Sequence, residues 1–240
     1  LQAQDTIRKS EIPVVAKFAD LSFTQQEIDS MFDGVKENVF EIRKMHKYPL
    51  NNSTPMSMWQ SPVVAGMQFD MKQQPINWEI PVNVSLPANR NELAFYSVMQ
   101  LASLIKNKKI SSVELTKFFI ERIRKYGDTL QCVVSLTESI AMEQAKQADE
   151  DFKKGIDKGP LQGIPYGLKD LFAVKGTKTT WGAQPYRNQS IEEDAYVYTR
   201  LKEAGAVLVA KFTLGALAMG DYWYGGRTKN PWNLERGSSG

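Results

Sequence analysis

Gly163-Ile164-Pro165-Tyr166-Gly167-Leu168-Lys169-Asp170-Leu171-Phe172 is the stretch on which the reading of this 240-residue chain turns. It is an apolar, strand-like run, opened by glycine and proline and interrupted by one lysine. A cation among Ile164, Tyr166, Leu168, Leu171 and Phe172 is costly to bury unless it is paired or neutral. Desolvation lowers a lysine pKa from about 10.4, and a neutral amine is a competent general base near neutral pH. On the residues alone two fates stay open: Lys169 enclosed as an uncharged base, or Lys169 snorkelling to the surface or pairing with Asp170.

Helices and strands alternate around this run. Val98 to Lys106 has a helical pattern, and Ser111-Ser112-Val113-Glu114 has the form of a capping box. The helix it opens carries Val113, Leu115, Phe118, Phe119, Ile120 and Ile123 on a broad apolar face, with Gly127 expected to end it. Leu130 to Leu136 is β-rich, and Ser139 to Lys154 is helical up to Gly155. Beyond the lysine run, Asp194 to Ala204 is helical, and Ala206 to Ala210 is a short all-apolar strand of the kind buried on both faces. The alternation predicts an α/β fold, a mixed β-sheet flanked by helices on both faces.

Residues 1–90 read as an N-terminal extension to a body formed by residues 91–240. Thr24 to Lys47 places Ile28, Met31, Phe32, Val35, Val39, Phe40 and Ile42 at three- and four-residue spacings, an amphipathic helix. From Tyr48 to Asn91, Pro49, Pro55, Pro62, Pro75, Pro81 and Pro87 forbid a long helix, so the segment is expected to be extended and wrapping. Its methionines, with Trp59 and Trp78, argue for docking rather than a disordered linker.

Composition removes several classes of function. The 30 basic and 27 acidic residues are mixed along the chain, so no single-sign stretch suits nucleic acid or anionic lipid. One cysteine, Cys132, makes no internal disulfide or thiolate metal site, and one histidine, His46, cannot build the usual histidine metal sites. No run approaches the roughly 18 apolar residues of a membrane span. Leu1-Gln2-Ala3-Gln4 resembles the small-residue end of a secretory signal, which favours export or a periplasmic location over the cytoplasm.

An ordered series of motifs narrows the choice. Leu161 to Asp170, with its Gly-Ile-Pro and later Lys-Asp, resembles the lysine segment of the amidase-signature family. Gly176-Thr177 followed by Thr179-Thr180-Trp181-Gly182 resembles that family's next turn, and Asp194 to Ala206 resembles its next helix and strand entry. Val209-Ala210-Lys211-Phe212-Thr213-Leu214 through Gly220 is similar to the following strand and loop. Thr228-Lys229-Asn230-Pro231-Trp232-Asn233 is similar to the approach to a serine-rich loop.

The resemblance implies an amidohydrolase that cleaves carboxamide C–N bonds through a Ser-Ser-Lys triad. Lys169 would be the base, acting through a bridging serine that follows a cis peptide bond, and a nucleophilic serine would form the acyl-enzyme. Arg236-Gly237-Ser238-Ser239-Gly240 offers Ser238 and Ser239 for the serine-rich loop. In one register Gly237 to Gly240 is that loop, with Arg236 in place of a glycine. In the other, counted without gaps from Asn230, the bridging serine falls just past Gly240 and Ser238 and Ser239 are its lead-in. In either, the nucleophile is expected about two dozen residues later, outside this chain, so residues 1–240 alone are expected to be inactive. Residues 91–240 would then be the N-terminal part of the family's domain.

Asp170 is a candidate to orient Lys169, and Tyr222, Trp223 and Tyr224 are candidates to line an acyl pocket, against ordinary packing roles for all four. No metal, nucleotide or flavin site is indicated. The expected partner is a small amide substrate, with homodimerisation left open. Two other readings stand beside the amidase. One is a glutamine-hydrolysing amidotransferase subunit that passes ammonia to a partner, against which the unusual residues 1–90 and the expectation of export weigh. The other is a non-catalytic protein that keeps the fold.

Overall fold

The computed structural model describes residues 7–51, 54–58, 60–64 and 66–238. Of the residues singled out by sequence, Leu1 to Gln4, Trp59, Ser239 and Gly240 lie outside them. The chain divides into two compact units, Leu1–Gln68 and Phe69–Gly240.

In the first unit a short helix, α1 (Ile12–Ala16), precedes the long α2 (Gln25–Met45). Thr24 caps α2 with a reciprocal box: Glu27 N donates to Thr24 Oγ1 at 3.3 Å, and Thr24 N donates to the Glu27 carboxylate at 2.7 Å. This satisfies two of the amides a helix start leaves orphaned. Ile12, Ala16 and Ile28 are buried, and Lys9 pairs with Asp29 at 2.6 Å. Among the described residues from Tyr48 to Asn89 there is neither helix nor strand, as the prolines dictate.

The second unit carries α3 (Val98–Lys106), α4 (Ser112–Leu130), α5 (Glu138–Lys153) and α6 (Tyr196–Glu203) around a three-stranded sheet of β1 (Val133–Leu136), β2 (Pro165–Lys169) and β3 (Val207–Phe212). Ser97 and Ser111 each accept from the backbone of the third helical residue and receive that residue's side chain in return, so α3 and α4 start where the sequence places them. Gly127 does not end α4. The helix runs on to Leu130 and closes with Gln131 in the left-handed region, φ 49°. Gly127 instead makes room: a Cβ there would lie 2.9 Å from Val133 Cγ2, so the glycine lets β1 return close along the helix. Gly155, at φ 76°, does stop α5's continuation.

The sheet order is β1-β3-β2, with β3 antiparallel to β1 and parallel to β2. The fold is thus a mixed α/β sheet with flanking helices, as predicted. The central strand is buried along Val207 to Lys211, because layers close over both of its sides. Ile120 of α4 and Ala141 and Ala145 of α5 cluster with Val207, Val209 and Ala210, while Tyr198 of α6 joins Leu168, Val174 and Leu208. A third cluster joins Leu93, Leu101, Leu104, Ile105 and Leu115 to Ile164 at the entry of β2, with Val84 and Leu86 of the proline-rich segment packed on it. These contacts fix β2 beside β3 and so fix where their carboxyl ends emerge.

Candidate active site

In open α/β sheets, ligand sites form beyond the carboxyl ends of parallel strands. Here those ends are Lys169 of β2 and Phe212 of β3, paired in register. The expectation that Lys169 is enclosed among apolar residues is corrected by the structure: its side chain is exposed. Strand alternation is the reason, since Leu168 and Asp170 turn into the interior while Gly167 and Lys169 turn the other way. On that side Gly167 makes room for Phe212, whose ring would lie 1.8 Å from a Cβ at Gly167. Among the described residues nothing hydrogen-bonds or ion-pairs with Lys169 Nζ, and Leu171 and Phe172 are themselves partly exposed.

The buried lysine is Lys211, on the neighbouring strand, with 0% of its surface exposed. Its ammonium lies 2.9 Å from Asp170 Oδ1, and it donates to Lys178 O at 3.0 Å and Thr179 Oγ1 at 3.3 Å. Asp170 is likewise wholly buried. Its Oδ2 accepts from Thr180 N at 2.8 Å and from the Thr180 hydroxyl, while Oδ1 meets Lys211 as an ion pair outside good hydrogen-bond directionality. Burial pulls the Lys211 ammonium below its ordinary range, and the Asp170 carboxylate pulls it back. Asp170 is therefore an internal anchor and not a partner of Lys169. The sequence reading placed Lys211, Thr179 and Thr180 in family-like motifs but gave them no role. A signal was present, since Lys211 directly continues the all-apolar strand from Ala206 to Ala210.

The turn that receives Asp170 is itself constrained. Trp181 sits at φ 51°, a region costly for a bulky side chain, and its amide donates to Asp170 O at 3.3 Å. Leu217 N donates to Trp181 O at 2.8 Å, and Tyr224 N to Gly182 O at 3.0 Å. The turn thus ties β2 to the segment that follows β3. Gly182 has φ 66°, and a Cβ there would stand 2.2 Å from Leu214 O. Gly182→Ala is accordingly expected to cost about 2–4 kcal/mol, from left-handed strain plus backbone displacement. Urea unfolding checks this, and a loss below about 1 kcal/mol would show that the turn relaxes freely.

Beyond β3, two short hairpins lead to the serines: β4 (Tyr222–Trp223) with β5 (Gly226–Arg227), and β6 (Lys229–Asn230) with β7 (Asn233–Gly237). The residues just before Ser238 are strand, with Gly237 opposite Lys229. Gly237 lies on the Asp221–Arg227 ion pair so closely that a Cβ would be 1.3 Å from Asp221 Oδ2, so a larger residue there would have to displace that carboxylate. Ser238 is exposed, and its amide donates to Thr228 O at 2.9 Å. Thr228 Oγ1 lies 2.6 Å from Thr213 Oγ1, and Thr213 follows Phe212, the register partner of Lys169. Ser238 is thereby tethered towards the strand end that bears Lys169, but no hydrogen bond joins the two side chains. No cis peptide bond occurs among the described residues.

The candidate acyl-pocket aromatics lie on and beside the first of these hairpins. Tyr222 is 64% exposed, and Trp223 donates from Nε1 to Gln131 O at 3.1 Å and stacks edge-on against Tyr224 at 4.9 Å. Cys132 is a half-buried free thiol pushed up by desolvation. Cavities of about 230 and 460 Å³ lie elsewhere, one around Gln144, Asp151 and Lys202, the other around Ile105, Glu114 and Phe152. Neither is lined by Lys169 or Asp170, and the chemistry of the strand end outweighs their size. Among the described residues no His, Cys, Asp or Glu group of three or more could hold a metal ion, and no helix is long and apolar enough to cross a membrane.

Known proteins with the same features converge on one family. The chain is 41% identical over 150 residues to a glutamyl-tRNA(Gln) amidotransferase subunit of Coxiella burnetii, covering 60% of this chain and 31% of that protein. Its counterpart from Legionella pneumophila is 40% identical over 148 residues, with 60% and 30% covered. Among solved structures, the peptide amidase of Stenotrophomonas maltophilia superposes with a TM-score of 0.58 at 28% identity, covering 61% of this chain and 32% of that one. The chain therefore spans about a third of the length of the relatives it matches. The family model described as Amidase matches residues 114–240, more than half of the sequence. The chain belongs to the amidase-signature family.

Proposed function

We propose that this chain supplies the lysine side of a Ser-Ser-Lys centre that hydrolyses carboxamide C–N bonds, with Lys169 as the base and Ser238 or Ser239 as candidates for the bridging serine. The observation that carries the reading is the position of Lys169 at the carboxyl end of β2, beside the end of parallel β3. A general base must be uncharged, and exclusion of water favours the neutral form of an amine. The proposal therefore includes a cover: the remaining length of the family's domain packs on the Gly167 and Lys169 face, excludes water and supplies the nucleophilic serine. Desolvation then favours the neutral amine, which takes a proton from the bridging serine as that serine takes one from the nucleophile. Backbone amides near the nucleophile would hold the oxyanion.

The test is ammonia release from aliphatic and peptide primary carboxamides by the whole gene product and by residues 1–240 alone. The whole product is expected to turn over at least one of them, and residues 1–240 none above background. Turnover by residues 1–240 that Ser238→Ala abolishes would show that the nucleophile has been misplaced.

A second reading has an observation of its own, the 41% identity to a protein named for glutamyl-tRNA(Gln) amidotransferase. Glutamine hydrolysis that rises when a partner protein is added would favour it. Hydrolysis of simple amides without a partner would favour the amidase.

A further inference from the structure

We propose that Lys211 is a positioning residue for Lys169: it holds the Asp170 carboxylate on the interior side of β2, so that this anion cannot pair with the amine one residue away. The inference rests on the catalytic role proposed for Lys169. It begins from the exposure pattern, in which Lys169 and Asp170 are consecutive and turn to opposite sides of the strand. A carboxylate that close, left uncompensated, favours the ammonium form of a neighbouring lysine and so disables a base. Here the carboxylate is compensated, with Oδ1 ion-paired to Lys211 at 2.9 Å and Oδ2 accepting from Thr180 N at 2.8 Å and from the Thr180 hydroxyl.

Stability alone does not explain the pair. A buried ion pair is commonly no more stabilising than well-packed apolar residues of the same volume. Its effect on charge is specific, however, because the interior side of this strand end becomes net neutral while both strands stay locked in register.

Several other charged groups on neighbouring segments have partners of their own. Lys178 offers its carbonyl to Lys211 and turns its ammonium to Asn188 at 3.2 Å. Asp221 is held by Arg227 at 3.0 Å beside Gly237. Lys175 lies 4.0 Å from Glu192, and its amide donates to Asp194. Asp170 adjoins Lys169 in the chain and Lys211 pairs with it, so these are the two charges to vary.

The test follows the pH dependence of Lys169 acylation by acetic anhydride, read by peptide mass spectrometry, in wild type, Lys211→Met, Asp170→Asn and the double variant. At an effective dielectric constant of about 20, an unbalanced unit charge within roughly 10 Å moves a titration by about one pH unit or more. Lys211→Met is therefore expected to move the acylation midpoint up by about one unit, and Asp170→Asn to move it down. The double variant should return it to the wild-type value.

If Lys211→Met does not fold, the downward shift in Asp170→Asn and its cancellation in the double variant decide the matter. Midpoints unmoved in the single variants, or moved in the same direction, overturn the positioning role and leave the catalytic reading of Lys169 standing. On the whole gene product, the acidic limb of kcat/KM should follow the acylation midpoint. A midpoint that moves while the limb does not would show that Lys169 is not the base, and both proposals fall.

Discussion

Asp170→Ala is expected to lower the unfolding free energy of the Phe69–Gly240 unit by about 3–5 kcal/mol, the largest stability effect of any single replacement at this strand end. The substitution removes the partner of a fully buried ammonium and leaves Lys211 with only Lys178 O and Thr179 Oγ1. It also orphans the Thr180 amide and hydroxyl, each a buried donor that lost a charged acceptor. Trp181 emission in a urea titration reports the change, because the indole follows the turn bonded to Asp170 and stacks against Tyr186 at 5.0 Å. Replacing both partners with apolar residues of similar volume, Asp170→Leu with Lys211→Met, should recover the part of the loss due to the unpaired ammonium and leave the cost of the two orphaned Thr180 donors. The asymmetry is the signature of a charge left unpaired, and a single variant costing under about 1 kcal/mol would show that the pair is not buried as described.

The same residues show where sequence reasoning reached and where it stopped. The starts of α2, α3 and α4 were legible because Thr24, Ser97 and Ser111 each act within one helical turn. The end of α5 at Gly155 was legible because a left-handed glycine leaves a local mark. Gly127 was misread because its purpose is non-local: it accommodates Val133, which arrives only after the chain reverses. The lysine run was correctly read as a strand, but a run of apolar neighbours cannot say which side of the sheet each residue takes. That depends on what packs there, and the packing put Asp170, not Lys169, inside. Lys211 escaped for the converse reason, since its ion partner lies on another strand and its other acceptors on a distant turn. The family could be recognised because the lysine segment, turn, helix and strand keep their order, whereas the burial of each group needed three dimensions.

Lys169→Ala in the whole gene product is expected to reduce kcat for carboxamide hydrolysis by about 10²–10⁴, the range of a lost general base, with KM little changed. Lys169 joins two properties that seldom coincide. The Lys169 side chain has no partner among the described residues and lies exposed on its face of β2, so removing it disturbs no ion pair, hydrogen bond or packed cluster. Thermal and urea stability of residues 1–240 should then stay within about 0.5 kcal/mol of wild type, as for surface positions generally. Lys211→Ala offers the contrast. It unpairs Asp170 and should lose stability on the scale of Asp170→Ala, so its activity loss would come with a lowered melting point. A lysine that can be deleted without structural cost, yet whose loss stops turnover, is one retained for chemistry. If Lys169→Ala left kcat within about threefold of wild type, no general base could be assigned to it. If it instead unfolded the 240-residue chain, the exposed placement of its side chain would be refuted.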